Sequence, residues 1–476
     1  MNEKTKKVGL LGLIAIVFTS MVGSSVYNLP QNMAASASAG AVLLGWIVTG
    51  IGMYFLALTF KTLSDTRPDI TSGIYAYAEA GFGRFVGFNS AWGYWVSGAI
   101  GNVAFAILLN DAVGFFYAPL LAHGWETVVF GLAVIWLMTF LVFPGVEFAT
   151  KISSGSIVIV LIAIAVIFVV LLYYFDIDKF TSNFWGEGLG LGSVGKQVSG
   201  TMMVTLWSFI GIEGAVVIAG KAKNSSDVGK ATIIGLIVAL IIYALISLLS
   251  FGILDQPSLA KLQTPSAGYV LDAAGSSWAN MFVNIAVIIS LLASWLAWTV
   301  LVAVVPQDAA KEGVLPKIFA KANKHDSPVN SLIITALLMT IMMFIVVVAN
   351  DIYLAAISIA GVMIIPPYIL SAGYLWEAAE KAEILKDKYK KRMKALGIGI
   401  GATVFGAWLL YSSGISYLLM SAIFYAVGIP FYYVAHKEDL KTGKHIFTKP
   451  ERLLAVFFVV AAGIAVMLMI EGKITP

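Results

Sequence analysis

The 476-residue sequence contains no cysteine and few charged residues, and each scarcity excludes a class of protein. Without cysteine there is no disulfide framework and no thiol chemistry. Charged residues make up 12% of the chain and hydrophobic residues 59%, which excludes a water-soluble domain and is typical of a polytopic membrane protein. The histidines all fall between apolar runs, at His123, His325, His436 and His445. We therefore expect no intramembrane metal site and no cofactor.

Thirteen apolar runs are long enough to cross a bilayer, for which about 18 residues suffice. They cover residues 8–36, 40–62, 86–118, 125–146, 150–175, 197–220, 230–254, 279–305, 329–349, 351–375, 395–413, 416–435 and 452–472. The segments between them are too short for a soluble domain, so residues 1–476 are predicted to form a single transmembrane domain. The first run is too long for a signal peptide and predicts an uncleaved helix.

The distribution of basic residues predicts the orientation of the chain. If the N-terminus lies in the cytoplasm, 26 of the 30 lysines and arginines fall in segments on the cytoplasmic side. Cytoplasmic loops carry such an excess in membrane proteins. The pattern therefore supports both the number of spans and a cytoplasmic N-terminus.

The middle of the first span is interrupted by small and polar residues, Gly23, Ser24, Ser25 and Pro30. Unsatisfied backbone groups in hydrocarbon cost several kcal/mol each, so a broken helix persists only where it lines a polar cavity. We expect two half-helices with free amides that suit a carboxylate. The alternative is a patch of small residues that lets helices pack closely.

The sixth span carries an acid, Glu213, between Gly211 and Gly214. A carboxylate at this depth indicates a functional site. Interrupted helices at corresponding positions of two five-helix halves indicate an inverted-repeat transporter with its site at the midplane. The predicted fold is thus all-α, with helices 1–5 and 6–10 as inverted repeats, the first repeat and the start of the second within residues 8–254, and extra helices over 395–472.

Two further spans, the third and the eighth, contribute candidate residues. Tyr94, Gly98, Asn102 and Phe105 share one face of the third span, which fits either a pocket wall or a helix-packing face. Trp298 lies deep in the eighth span and fits a pocket or gate. Asp111, nine residues beyond Asn102, is turned to the opposite face and is expected near the outer mouth or between helices.

The residues at the two interruptions resemble those of a known family. Gly23-Ser24-Ser25 followed by Leu29-Pro30 resembles the break in helix one of amino acid–polyamine–organocation transporters. The run LWSFIGIEGA from Leu206 to Ala215 resembles the basic amino acid/polyamine antiporter family, in particular the bacterial arginine/ornithine antiporters. The likeness spans nearly the whole chain.

The resemblance implies a role for each matching residue. The amides of the first interruption would hold the substrate carboxylate, carbonyls near both interruptions its α-ammonium, and the Trp207 ring its side chain. The implied substrate-binding residues are Met21, Gly23, Ser24, Ser25, Gly98, Asn102, Phe105, Trp207, Ile210, Gly211 and Trp298. The implied gating residues are Tyr94, Glu213 and Tyr368.

Some positions depart from the family pattern. Ser25 and Tyr27 stand where the family has glycine and phenylalanine. In the tenth span no side chain matches the polar one that the family places against a guanidinium, and small Ala360 and Gly361 stand nearby. These departures leave the choice of arginine open. Lys151 lies at the start of the fifth span rather than within it, which favours exchange without a coupled ion.

The leading hypothesis is an antiporter in a bacterial inner membrane that exchanges a cationic amino acid for ornithine or a decarboxylated amine. The alternatives are histidine/histamine, lysine/cadaverine, tyrosine/tyramine or agmatine/putrescine exchange, a proton-coupled permease, or a membrane sensor. A channel or an enzyme is disfavoured, since neither a ring of like groups nor a nucleophile–base pair is evident. The expected partners are amino acids, amines and lipid, not nucleic acid; relatives often dimerise, but no motif specifies a dimer.

Overall fold

In the computed structural model, every regular element of the described chain is helical. The described residues are 8–23, 25–70, 73–145, 156–217, 222–346, 352–442 and 445–474. In the first half the helices are α1 (Leu10–Met21), α2 (Leu29–Ala34), α3 (Ala39–Thr66), α4 (Ile74–Phe82), α5 (Arg84–Gly114), α6 (Trp125–Val142), α7 (Ser156–Tyr173), α8 (Ile177–Thr181), α9 (Val194–Phe209), α10 (Gly214–Val217) and α11 (Ser225–Ser250). In the second half they are α12 (Gln256–Ala260), α13 (Ser266–Ala273), α14 (Ser277–Lys311), α15 (Val329–Val346), α16 (Ile352–Glu380), α17 (Tyr389–Ser413), α18 (Ile415–His436) and α19 (Lys449–Ile470).

The helices follow the predicted apolar runs. Among the described residues, nine helices are long and apolar enough to cross a membrane, and α1, α7 and α15 contribute shorter apolar stretches. The all-α polytopic fold is confirmed. Helix α5 is buried along nearly its whole length and forms the centre of the molecule, whereas α19 exposes most of its surface at the periphery.

The first span is broken as predicted. Helix α1 ends at Met21, a short 3-10 turn covers Ser25–Tyr27, and α2 begins at Leu29. Pro30 occupies the first turn of α2, where a helix does not need the missing N–H. We call residues 20–28, from the last two residues of α1 to the start of α2, the first break. Ser24 lies outside the described residues.

The sixth span is broken at the corresponding place. Helix α9 ends at Phe209, and α10 begins at Gly214. We call residues 210–213 the second break. Gly211 lies within it at φ +107°, a conformation that glycine adopts readily and other residues rarely.

Side-chain hydrogen bonds attach α2 and the residue before it to α12, α13 and the segment between them. The Asn28 amide oxygen accepts from the Ser266 N–H at 3.0 Å, and its nitrogen donates to the Thr264 hydroxyl at 3.1 Å. The Gln256 amide donates to the Ala34 carbonyl at 2.6 Å. These bonds satisfy polar groups at the ends of a helix of only six residues.

Glycine allows α16 and α17 to pack backbone to backbone. A Cβ built on Gly399 would lie 2.7 Å from the Trp376 nitrogen and 3.0 Å from the Ala372 carbonyl oxygen. Small residues permit such close approach between helices in membranes. Two residues earlier on the same helix, a Cβ on Gly397 would meet nothing within 4 Å.

Gly399→Ala should therefore destabilise the protein, because the added methyl group meets backbone that cannot rotate away. We expect a loss of about 1–3 kcal/mol, typical of overpacking, measured as a lower thermal unfolding midpoint in detergent. Gly397→Ala is the matched control, and its midpoint should be unchanged or higher because alanine favours helix. Equal midpoints for the two variants would contradict the close packing.

Candidate substrate site

A cavity lies at the centre of the molecule, between α1, α5, α14 and the end of α9. We call it the central cavity; its lining is Ser20, Met21, Ser97, Gly98, Gly101, Asn102, Phe105, Trp207, Ile210 and Trp298. The structure thus brings together Met21, Gly98, Asn102, Phe105, Trp207, Ile210 and Trp298, all of them predicted from the sequence.

Three lining residues were not predicted: Ser20, Ser97 and Gly101. Ser97 and Gly101 continue the predicted face of α5, since they are four residues apart and adjoin Gly98 and Asn102. A predicted face that also took in the residue before Gly98 and the residue before Asn102 would have included both. Ser20 lies at the start of the first break, and its small polar side chain in an apolar helix was an available signal.

The two breaks contact each other beside the central cavity. The Ser20 hydroxyl donates to the Gly211 carbonyl at 2.8 Å, and the Trp298 indole N–H donates to the Ser20 carbonyl at 3.2 Å. A Cβ on Gly211 would lie 2.8 Å from the backbone carbon and oxygen of Ser20. Both interrupted helices and α14 are therefore held at one point.

Other predicted residues lie beside the cavity rather than in its lining. Gly23 packs against α14, where a Cβ would lie 2.6 Å from the Ser294 hydroxyl oxygen. Ser25 is buried in the first break with no hydrogen-bond partner for its hydroxyl among the described residues. Gly211 contributes its backbone to the contact with Ser20.

Aromatic rings fill most of the central cavity. The rings of Phe105 and Trp207 meet edge to face with centroids 6.0 Å apart, and Trp207 lies against Gly101, where a Cβ would be 3.1 Å from the ring. The remaining cavity volume is about 20 Å³, little more than one water molecule requires. A larger ligand therefore needs these rings to move.

Two lining side chains carry polar atoms without partners. Asn102 is fully buried, and neither its amide oxygen nor its nitrogen has a hydrogen-bond partner in the described part of the chain. The same holds for the indole nitrogen of Trp207. Leaving a buried polar group unsatisfied costs about 1–3 kcal/mol. These atoms are therefore available to a ligand with complementary donors and acceptors.

The three predicted gating residues also come together. Glu213 is completely buried; one of its carboxylate oxygens accepts from the Tyr368 hydroxyl at 2.6 Å and from the Gly211 N–H at 3.2 Å. The other oxygen has no partner among the described residues. The Tyr94 hydroxyl lies close enough to interact with the same carboxylate.

Asp111 lies away from this cluster, at the far end of α5. Its carboxylate contacts the His123 ring at 2.6 Å and the Asn110 side-chain nitrogen at 3.2 Å. This position agrees with the expected place at the mouth or between segments, outside the lining of the central cavity.

The sequence model of the amino acid permease family matches residues 8–411. The chain belongs to this family. A putative amino-acid transporter of Clostridium perfringens is 41% identical over 481 residues, covering 99% of this permease and all of that protein. Arginine/agmatine antiporters of Chlamydia pneumoniae and Chlamydia trachomatis are each 40% identical over 480 residues, covering 99% of both chains. The resemblance to basic amino acid antiporters is confirmed.

In this permease, Gly211→Ala should separate the two breaks. Alanine at φ +107° is strained, and its methyl group would collide with the Ser20 backbone. The strain alone is expected to cost about 1–3 kcal/mol, which thermal unfolding in detergent would measure.

Gly195→Ala is the control for this variant. It lies in the first turn of α9, and a Cβ there meets nothing within 4 Å. If Gly211→Ala unfolded at the same temperature as Gly195→Ala, the close contact between the breaks would be disproved.

Proposed function

We propose that the protein is an amino acid antiporter that exchanges a cationic amino acid, arginine being the first candidate, for the amine formed by its decarboxylation, agmatine. The observation that carries the proposal is the central cavity, where two broken helices meet beside the unpartnered Asn102 amide and the Trp207 ring. The names of the Chlamydia relatives support the same pair of substrates.

The α-amino and α-carboxylate groups would bind at the breaks. Backbone amides of Gly23, Ser24 and Ser25 would donate to the carboxylate, because interruption of the helix leaves such groups without regular partners. Backbone carbonyls of Met21, Trp207 and Ile210 would accept from the α-ammonium. Support comes from Met21 and Ile210, which line the cavity at the two breaks.

The side chain of the substrate would occupy the aromatic end of the cavity. A guanidinium has five N–H donors and no acceptor, and the Asn102 oxygen is an acceptor without a partner. The faces of Trp207 and Phe105 would attract a cation by about 0.5–2 kcal/mol each. Ser97 donates its hydroxyl hydrogen to the Ala360 carbonyl at 2.7 Å, so its oxygen lone pairs remain available. Ser97 thus offsets the missing polar side chain at Ala360.

The cavity lining contains no charged residue among those described. A neutral site attracts a cation through rings and dipoles and does not hold it as an ion pair would. Both an amino acid with one net positive charge and an amine with two could therefore bind and leave. This suits exchange, in which each substrate must be released after every crossing.

Exchange would proceed by alternating access. Two five-helix halves would rock about the breaks, and substrate would lower the energy of the closed intermediate relative to the empty carrier. Tyr94, Glu213 and Tyr368 would form the gate at one side of the cavity. Their hydrogen-bonded arrangement, described above, supports this role.

We further infer a bacterial cytoplasmic membrane with the N-terminus inside, supported by the excess of basic residues in the N-terminal segment and the even-numbered connections and by the bacterial relatives. The relatives' names are those of transporters, which supports transport rather than catalysis.

Counterflow into proteoliposomes tests the proposed function. Vesicles would be loaded with agmatine, ornithine, histamine, cadaverine or nothing, and labelled arginine, histidine or lysine offered outside. We expect arginine uptake that requires internal agmatine; a requirement for ornithine would instead support the pair implied by the sequence resemblance. Uptake into empty vesicles driven by a proton or sodium gradient would refute the exchanger.

Glu213→Gln should slow exchange more than it weakens binding. The amide keeps the shape of the carboxylate but accepts more weakly from Tyr368, so we expect a roughly tenfold lower rate, about the loss of one charge-assisted hydrogen bond. Initial rates of exchange and equilibrium binding of labelled substrate would be compared.

Tyr368→Phe is the matched variant, since it removes the same hydrogen bond from the other side. The double variant should be no slower than either single one, because coupled residues are not additive. Weakened binding with an unchanged rate would show Glu213 to be a substrate ligand instead.

A further inference from the structure

Two buried hydroxyl groups, those of Ser25 and Tyr243, lie at the first break and outside the lining of the central cavity. Ser25 and Tyr243 are 3% and 0% exposed. The turn that contains Ser25 packs against α11, which contains Tyr243, and the two hydroxyl groups lie close enough to interact. Yet neither oxygen has a hydrogen-bond partner among the described residues. Two adjoining buried hydroxyls without partners are unusual, since nearly all buried polar groups in proteins are satisfied.

Two aromatic contacts hold the Tyr243 ring in place. Its ring stacks on Trp46 with centroids 5.8 Å apart and meets Phe209 edge to face at 5.5 Å. Trp46 and Phe209 also contact each other, at 6.1 Å. Phe209 is the last residue of α9, directly before the second break. The Tyr243 hydroxyl is thus fixed relative to the second break and faces the first.

Ser25 is the member of this pair that a change in the first break would move. It belongs to a turn of three residues between two helix ends, whereas Tyr243 lies inside the 26-residue helix α11. A small rotation of the turn would complete a hydrogen bond between the two hydroxyls. That rotation would also set the direction of the Ser25 backbone amide, because the amide and the hydroxyl belong to one residue.

We propose that Tyr243 is a positioning residue that selects substrates with an α-carboxylate. When the first break closes on a carboxylate, the Ser25 and Tyr243 hydroxyls form a hydrogen bond that holds the Ser25 amide toward the ligand. A decarboxylated amine lacks the group that this amide binds, so its affinity does not depend on Tyr243. The inference rests on the proposed function and extends it to the difference between the two exchanged substrates.

A positioning role and a purely structural role for Tyr243 predict different effects on transport. Loss of a structural contact would change transport of both substrates together. Loss of the positioning bond should change the amino acid alone. The ratio of the two KM values therefore separates the two roles.

The test uses Tyr243→Phe in the full-length protein in proteoliposomes. Phenylalanine keeps the ring that stacks on Trp46 and removes only the hydroxyl. We expect KM for external arginine, with agmatine inside, to rise about tenfold, the usual consequence of losing one buried hydrogen bond. KM for external agmatine, with arginine inside, should stay within about twofold of wild type.

Ser25→Ala tests the other end of the contact and should give the same change in the ratio of KM values. The double variant should show no further change, since both substitutions remove one bond. Tyr425→Phe is the matched control: its hydroxyl donates to the Met363 carbonyl at 3.4 Å, away from the central cavity, and both KM values should be unaffected.

Equal changes for arginine and agmatine in Tyr243→Phe, or no change in either, would overturn this inference while leaving the exchanger intact. Absence of arginine–agmatine exchange in the wild type would instead overturn the proposed function, and this inference with it.

Discussion

The contact between the two helix breaks is the constraint on which the site depends. Ser20 joins it from the first helix through its hydroxyl, and Gly211 from the second through its carbonyl. Trp298 donates to the same backbone segment and adds the eighth span. Each break exposes backbone groups that hydrocarbon could not satisfy, so the breaks stabilise each other while leaving further groups to face the cavity. Glu213 belongs to the same arrangement, because it accepts from the amide of Gly211.

The two breaks and one face of α5 could be predicted from the sequence because each is marked by residues close together along the chain. Gly23 and Pro30 mark a break within one apolar run, and Glu213 marks another. The helical period brought Asn102 and Phe105 onto one face of α5. The small polar side chain of Ser20 was visible in the sequence, but its role was not, because its partner Gly211 is 191 residues away along the chain, a distance that periodicity cannot bridge. The role of Ser97 could not be seen for a related reason, since its hydroxyl is oriented by the Ala360 carbonyl in another helix.

Hydrogen bonds fix the helix ends around the central cavity, but none of the described residues that line the cavity is charged. In the proposed function its lining would hold a cation by an amide, hydroxyls and rings, while the carboxylate of the nearby Glu213 accepts from Tyr368. A gate formed by Glu213 and Tyr368 would then respond to occupancy without forming a permanent ion pair with the substrate. In this view the departures from the family pattern, Ser25 among them, adjust how the two ends of a substrate are weighed against each other.

The small volume of the central cavity has a consequence for the energy stored across the membrane. Protons move rapidly along an unbroken file of hydrogen-bonded water, and such a file needs a continuous channel. A space of about 20 Å³ holds roughly a single molecule, and the rings of Phe105 and Trp207 close around it. In this conformation the central cavity therefore has no room for such a file of water.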